Sequence, residues 1–374
     1  NNQFRVFITS NLPGDAGAIT SFRLDTEKGI LEQSGRYTDI ENPFFICLSP
    51  NRRFLYSVQI RGDFESDSGT VAAFSIDTES CQLRKLNEMP ANGTTTCYID
   101  VDPTGKTVVC ANYSSGSVGS FPILENGYLG EMETFIQNHG ASLVVPDRQD
   151  GPHAHCAAIS PDGRHVYACD LGTDQIFGFA LNSETATLAP LEQSYVRTIG
   201  GGGPRHFAYH PNGAFVYANN ELANSINVYS RKAEEGFLNE IQIISTLPNN
   251  FHSPSYTADI KITPNGKFLY CSNRLHDSIT AYEIDVDGHG AGAEGGRVRG
   301  AGEAHGERAR AADAHVAEPG ADVRAAADRH QRHRIAKFVL DPRVGESGPV
   351  TADAVAPAHR RAVAGVIRPH RAHA

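Results

Sequence analysis

Four short phrases place charged and proton-carrying side chains in sequence that is otherwise apolar and strand-like: Gly151-Pro152-His153-Ala154-His155, Gly200-Gly201-Gly202-Gly203-Pro204-Arg205-His206, Asn219-Asn220-Glu221 and Ser272-Asn273-Arg274. Histidines at i and i+2 of a strand project to one face, so His153 and His155 suit proton transfer or metal ligation; the competing reading has one ring bonded to backbone and the other exposed. Four glycines ahead of Arg205 let backbone approach a ligand closely, and the guanidinium adds a planar fork of donors. Glu221 and Arg274 fit the same chemistry or, alternatively, an ion pair between neighbouring units. Arg205 and Arg274 in one concave, partly dry site match the carboxylate or phosphate of a small organic anion, because charge-assisted bidentate bonds orient as well as bind. A histidine and a glutamate beside them supply a proton acceptor and donor. The expected reaction is acid/base work on an organic anion by one or both of His153 and His155 together with Glu221, Arg205 and Arg274. No metal or other cofactor is expected, since the pair at 153 and 155 supplies too few ligands.

The elements that must hold these groups repeat. Pro50-Asn51-Arg52-Arg53-Phe54-Leu55-Tyr56, Pro103-Thr104-Gly105-Lys106-Thr107-Val108-Val109, Pro161-Asp162-Gly163-Arg164-His165-Val166-Tyr167, Pro211-Asn212-Gly213-Ala214-Phe215-Val216-Tyr217 and Pro264-Asn265-Gly266-Lys267-Phe268-Leu269-Tyr270 are copies of one turn-then-strand phrase, with prolines 53, 58, 50 and 53 residues apart. Alternating runs such as Thr70–Asp77 and Ser278–Asp285 follow the copies and read as half-buried strands. Without a helical period, each unit must hold about four short strands, which is the blade of a propeller. The expected fold is all-β: one seven-bladed β-propeller over residues 1–345, built of four-stranded antiparallel blades. Blade tails fall near residues 4, 54, 107, 165, 215, 268 and 334. The half-unit at Phe4–Asp25 predicts a ring closed by N- and C-terminal strands together, which removes open sheet edges. A β-sandwich is the alternative.

Arg205 stands 50 residues after His155, and Arg274 stands 53 after Glu221, so each pair occupies corresponding places on successive blades. The repeat therefore gathers the phrases at one end of the ring. Net charge is −10, a poor match for nucleic acid, and there is no apolar run long enough for a membrane helix. The seven cysteines are odd in number, lack C-x-x-C spacing and mostly sit in apolar strand-like runs. Buried free thiols, a reducing compartment and a cytoplasmic location are expected. The first residues lack the basic and apolar blocks of a secretory signal. A monomer or weak homo-oligomer is the expected state.

From Gly288 the composition changes. Residues Ala291 to Arg334 contain no Phe, Tyr, Ile or Leu, and half of the sixteen histidines lie in 289–374. Such sequence is expected to be unable to supply a blade's apolar faces. It reads as a GC-rich gene translated out of frame, slipping near 288, returning near 334 and lost again near 346, with 346–374 an anomalous or disordered tail. The alternative is an authentic disordered insertion. On either reading, the last two blades lack most of their sheet.

As a set, Gly151–His155, Gly203-Pro204-Arg205-His206-Phe207-Ala208-Tyr209-His210-Pro211-Asn212-Gly213, Val216–Leu222 and Phe268–Ile279 resemble the seven-bladed propeller lactonase family, which includes propeller-type 6-phosphogluconolactonases and fungal carboxy-cis,cis-muconate cyclases. The resemblance covers residues 4–287 well and Ile335–Gly345 faintly. It implies hydrolysis of a sugar-acid lactone, first 6-phospho-D-glucono-1,5-lactone, with muconate-type cyclisation the alternative; a non-catalytic interaction platform is the competing reading of a different class. It also implies a site of one histidine (His155 or His153), Arg205, Glu221 and Arg274, with His155, Glu221, Arg205 and Arg274 expected to be catalytic and His153, Arg205, His206 and Arg274 expected to touch substrate. A further Pro-Arg phrase usual in the family falls where the anomalous segment stands.

Overall fold

The computed structural model describes residues 3–62, 68–285, 297–305 and 338–341. The five turn phrases set its geometry. Gly105, Gly163, Gly213 and Gly266 all have φ between 72° and 74°, and Arg52, which takes the glycine's place in the first copy, adopts the same left-handed backbone at 60°. The Asn or Asp beside each proline closes an Asx turn in four copies: Asn51, Asp162, Asn212 and Asn265 accept from the amides of Arg53, Arg164, Ala214 and Lys267 at 2.9–3.2 Å. In the second copy, where Thr104 follows the proline, Asp102 takes over by accepting from Lys106 and Thr107.

Each phrase joins an inner strand to the next strand out, and the described residues form six four-stranded sheets, antiparallel throughout. Five run outward in chain order: β4(Phe45–Leu48) to β7(Leu83–Thr94), β8(Thr96–Val101) to β11(Thr134–Gln137), β12(Ala154–Ile159) to β15(Thr187–Arg197), β16(Pro204–Tyr209) to β19(Phe237–Ser245), and β20(Tyr256–Ile262) to β23(Arg297–His305). Within the last four, the second strands are β9(Thr107–Asn112), β13(His165–Asp170), β17(Phe215–Asn220) and β21(Phe268–Arg274). The sixth sheet closes as the sequence implies. Its innermost strand is β24(Phe338–Asp341), paired antiparallel to β1(Gln3–Ser10), with β2(Ala18–Asp25) and β3(Ile30–Tyr37) outside. The tails read near residues 4 and 334 thus belong to one sheet. The described residues hold six blades; residues 306–337, between β23 and β24, and the expected tail at 346–374 lie outside them.

The expectation that the sixth blade lacks most of its sheet needs correction at β23, which completes the four strands from β20 outward. It pairs with β22(Ser278–Asp285) from Arg297↔Asp285 to Ser278↔His305. An outermost strand is held by backbone bonds that any residue supplies, and Val298 anchors this one: it is buried, and the Gln242 side-chain amide bonds both its N–H and its C=O. The rest of the frame-slip reading falls on 288–296, 306–337 and 342–374, outside the described residues.

Apolar clusters fill the spaces between neighbouring blades. Val109, Ala111 and Val118 of one blade meet Ala157, Ile159, Val166 and Phe179 of the next. The phrase tyrosines pin the same interfaces from within a dry core: Tyr56 donates to Gly127 O at 3.1 Å and Tyr167 to Gly236 O at 2.6 Å, each on the following blade.

Candidate active site

The inner strands β8, β12, β16 and β20 each slip register near their first residues, at Thr96/Tyr98, Ala154/Cys156, Pro204/His206 and Thr257/Ile260. A bulge leaves an extra residue out of the ladder and re-aims its side chain. The residues re-aimed are Cys97, His155, Arg205 and the Ala258-Asp259 pair. The second strands end beside them, so Tyr113, Leu171, Glu221 and Arg274 stand at equivalent places after β9, β13, β17 and at the end of β21.

Glu221 is the hub. Its side chain is 1% exposed, and three guanidinium groups reach it: Arg205 Nε and Arg274 at 2.8 Å on Oε2, and Arg148 at 2.7 Å on Oε1. Three cations beside one buried carboxyl group favour its ionised form strongly. That charge state suits a counter-charge to the arginines better than the proton donor expected from sequence. The arginines differ in access. Arg205 is fully buried, whereas Arg148 and Arg274 keep 16% and 19% of their side chains open. Both outer guanidinium carbons lie 5.8 Å from the centre of the Tyr256 ring.

Arg205 also donates to the carbonyl of Ala258 and, at 3.2 Å, to His206 Nε2. A guanidinium only donates, so His206 accepts at Nε2 and carries its proton on Nδ1, which faces Asp259 at 2.9 Å. Burial, reinforced by the Arg205 charge, pushes the His206 pKa well down and keeps the ring neutral. His206, expected to touch substrate, is instead buried against Phe45, Tyr98 and His155 and ties Arg205 to Asp259.

The two predicted histidines converge on Tyr113. His153 stacks on that ring at 4.7 Å, while His155 meets it edge-on at 5.5 Å. Only His153 faces solvent; His155 is 1% exposed, with Nδ1 3.9 Å from Cys97 Sγ. His153 Nδ1 lies 3.2 Å from the Tyr113 carbonyl and Nε2 lies 3.3 Å from Asp150. A neutral ring can donate to one of these acceptors, and a ring that has just taken up a proton can donate to both.

The glycine run departs from its expected role. Gly201 and Gly203, at φ 74° and 63°, give their amides to the buried Asp174 at 2.6 and 2.8 Å. The same carboxylate accepts from Gln149 Nε2 at 2.7 Å and Ser142 Oγ at 2.5 Å. It fastens the loop bearing Arg148 to the loop preceding Arg205. Sequence reading missed Arg148, Tyr113, Tyr256 and Asp174. The repeat contained the signal for the two tyrosines, since Tyr113 is one blade-equivalent before Leu171 and Tyr256 one after Gly203.

At the opposite end of the ring, a cavity of ≈ 370 Å³ is lined by Pro161, Asp162, Pro211, Asn212 and Arg231. There Arg231 and Asp162 pair at 2.7 Å, so the cavity presents a neutralised pair instead of an anion-binding excess.

Comparison with known proteins follows the same outline. The sequence profile described as "Lactonase, 7-bladed beta-propeller" matches residues 5–294. A 6-phosphogluconolactonase of Bacillus subtilis is 33% identical over 279 residues, covering 75% of this chain and 77% of the relative. One from Formosa agariphila is 32% identical, covering 74% and 77%. A crystal structure of a candidate 6-phosphogluconolactonase from Bacteroides fragilis superposes with a TM-score of 0.73 at 30% identity, over 82% of this chain and 83% of that one.

Proposed function

Because the chain belongs to the seven-bladed β-propeller lactonase family, we propose that this lactone hydrolase opens a sugar-acid lactone carrying an anionic group, first 6-phospho-D-glucono-1,5-lactone. The observation that carries the reading is the charge imbalance at Glu221, where three arginines share one carboxylate and two of them remain accessible. Such a site attracts an anion and stabilises negative charge as it develops.

Water attacks the lactone carbonyl carbon, the C=O electrons move onto oxygen, and the tetrahedral intermediate collapses with cleavage of the bond to the ring oxygen. The product is the open-chain hydroxy acid. His153, the more open of the two histidines, takes the water's proton at Nε2 and returns it to the departing oxygen, with its Nδ1–H held by the Tyr113 carbonyl. Arg274 holds the substrate's anionic group. Arg205 adds its charge from behind Glu221, and His155 backs the Tyr113 ring. The proposed partner is this small anion alone, and the proposed compartment is the cytoplasm, consistent with seven free cysteines.

Acid release should be measured with 6-phosphogluconolactone and with unphosphorylated gluconolactone. A clear preference for the phosphorylated compound is expected. Hydrolysis of neither, together with lactonisation of carboxy-cis,cis-muconate followed by its ultraviolet absorbance, would replace this reading with the cyclase one.

A further inference from the structure

Arg148 lies outside the set of residues that the repeat makes legible, and its surroundings give it a distinct role. Glu221 is already paired by Arg205 and Arg274, so a third guanidinium on the same carboxylate concentrates positive charge where two of the three arginines stay accessible to an anion. The loop that carries it is held in place beforehand. Gln149, fully buried, bonds the Leu171 carbonyl at 2.8 Å and Asp174 at 2.7 Å, and its own carbonyl accepts from the Leu143 amide at 3.1 Å. Pre-organisation of this kind lowers the ordering cost of binding.

We infer that Arg148 and Arg274, resting against the Tyr256 ring, form the subsite for the substrate's phosphate monoester, and that Arg148 determines the preference for a phosphorylated lactone. The two guanidinium groups stand on the two oxygens of one carboxylate and are the arginines of this cluster that remain open to solvent. Tyr113 sets the spacing to the reacting end. His153 stacks on its ring, and Arg148 reaches its hydroxyl at 3.3 Å. One tyrosine side chain thus touches both the proposed proton acceptor and the anion subsite. The inference rests on the lactonase reading for its substrate, but not for its anion.

Two measurements separate the two claims. Titration of the protein with inorganic phosphate should show binding that Arg148→Gln weakens about tenfold or more and Arg148→Lys weakens less, the scale of one charge-assisted bond. In the lactonase assay, Arg148→Gln should lower the preference for phosphorylated over unphosphorylated lactone by about tenfold or more, mainly through KM. Far-ultraviolet circular dichroism and thermal unfolding establish that each variant is folded. Equal phosphate affinity in wild type and a folded Arg148→Gln overturns the inference, as does an unchanged preference. A wild-type protein that binds phosphate through Arg148 yet opens neither lactone overturns the proposed reaction and leaves the anion subsite standing.

Discussion

The two ends of the β12–β19 blade pair carry networks of the same ingredients in different proportions. At the turn end, Arg231 pairs with Asp162, and Arg164 pairs with Glu234 at 2.8 Å while touching Asp162 at 3.5 Å. Two cations meet two anions there. At the other end, three arginines converge on Glu221. Both networks bridge blades, and either would look like an interblade ion pair if one partner were considered at a time. What separates them is stoichiometry. A balanced cluster is complete without a ligand, whereas an unbalanced one in a partly dry site holds potential that an incoming anion can satisfy.

Removing the hub should produce the largest difference between the ends. Glu221→Gln leaves three guanidinium groups, one of them fully buried, around a neutral amide. Breaking a buried pair in this way costs about 3 kcal/mol or more. The unfolding free energy from urea titration should fall by that amount, and kcat/KM for the lactone should drop about a hundredfold or more as the arginines lose their fixed geometry. If Glu221→Gln proves no more costly than a substitution in the balanced cluster, charge excess is not what distinguishes the two ends.

Asp162→Asn probes the balanced end and should have a smaller effect. Burial alone would raise the Asp162 pKa, but hydrogen bonds from Ser160 and Arg231 outweigh it and hold the carboxyl far below the usual range. A depressed folded-state pKa contributes stability above the unfolded value of about 4, and that contribution is lost as pH falls through the folded value. With the side chain 27% exposed, solvent screening limits the effect at pH 7 to roughly 1 kcal/mol. The gap between wild type and Asp162→Asn should therefore be widest near neutral pH and close progressively below pH 4. Lactone turnover should be unaffected. A gap that widens in acid would mean that the Arg231 pair does not hold Asp162 ionised.

How much of this the sequence discloses depends on whether a residue keeps step with the repeat. His155 and Arg205 share one place in successive blades, and so do Glu221 and Arg274; the spacing of the turn phrases is enough to bring them to one end. Ring closure was legible for the same reason, because Phe4–Asp25 is visibly part of a unit. Arg148 has no such register. It lies in the irregular stretch between β11 and β12, where alternation is absent and a side chain's direction is fixed by tertiary bonds through Gln149 and Asp174. The glycine run misled in a related way, since sequence reveals permissive backbone but not the buried carboxylate that claims its amides. At β23, composition was a poor guide because an outermost strand is held mostly by main-chain bonds.

The smallest effect belongs to Arg164, and it sets the floor of the comparison. Arg164 and its partner Glu234 are 46% and 81% exposed, so water competes for both groups and holding two long side chains together has an entropic cost. Hydrogen bonding to Glu234 nonetheless raises the Arg164 pKa, so a shifted pKa is compatible with a pair expected to have little consequence. Arg164→Ala should leave both the thermal midpoint and lactone turnover indistinguishable from wild type, with no change in their dependence on salt. A measurable loss, abolished by added salt, would mean that the turn-end network acts as one cooperative unit. Its balance would then be a stabilising device in its own right, and the contrast with the Glu221 end would rest on access to solvent instead of on charge stoichiometry.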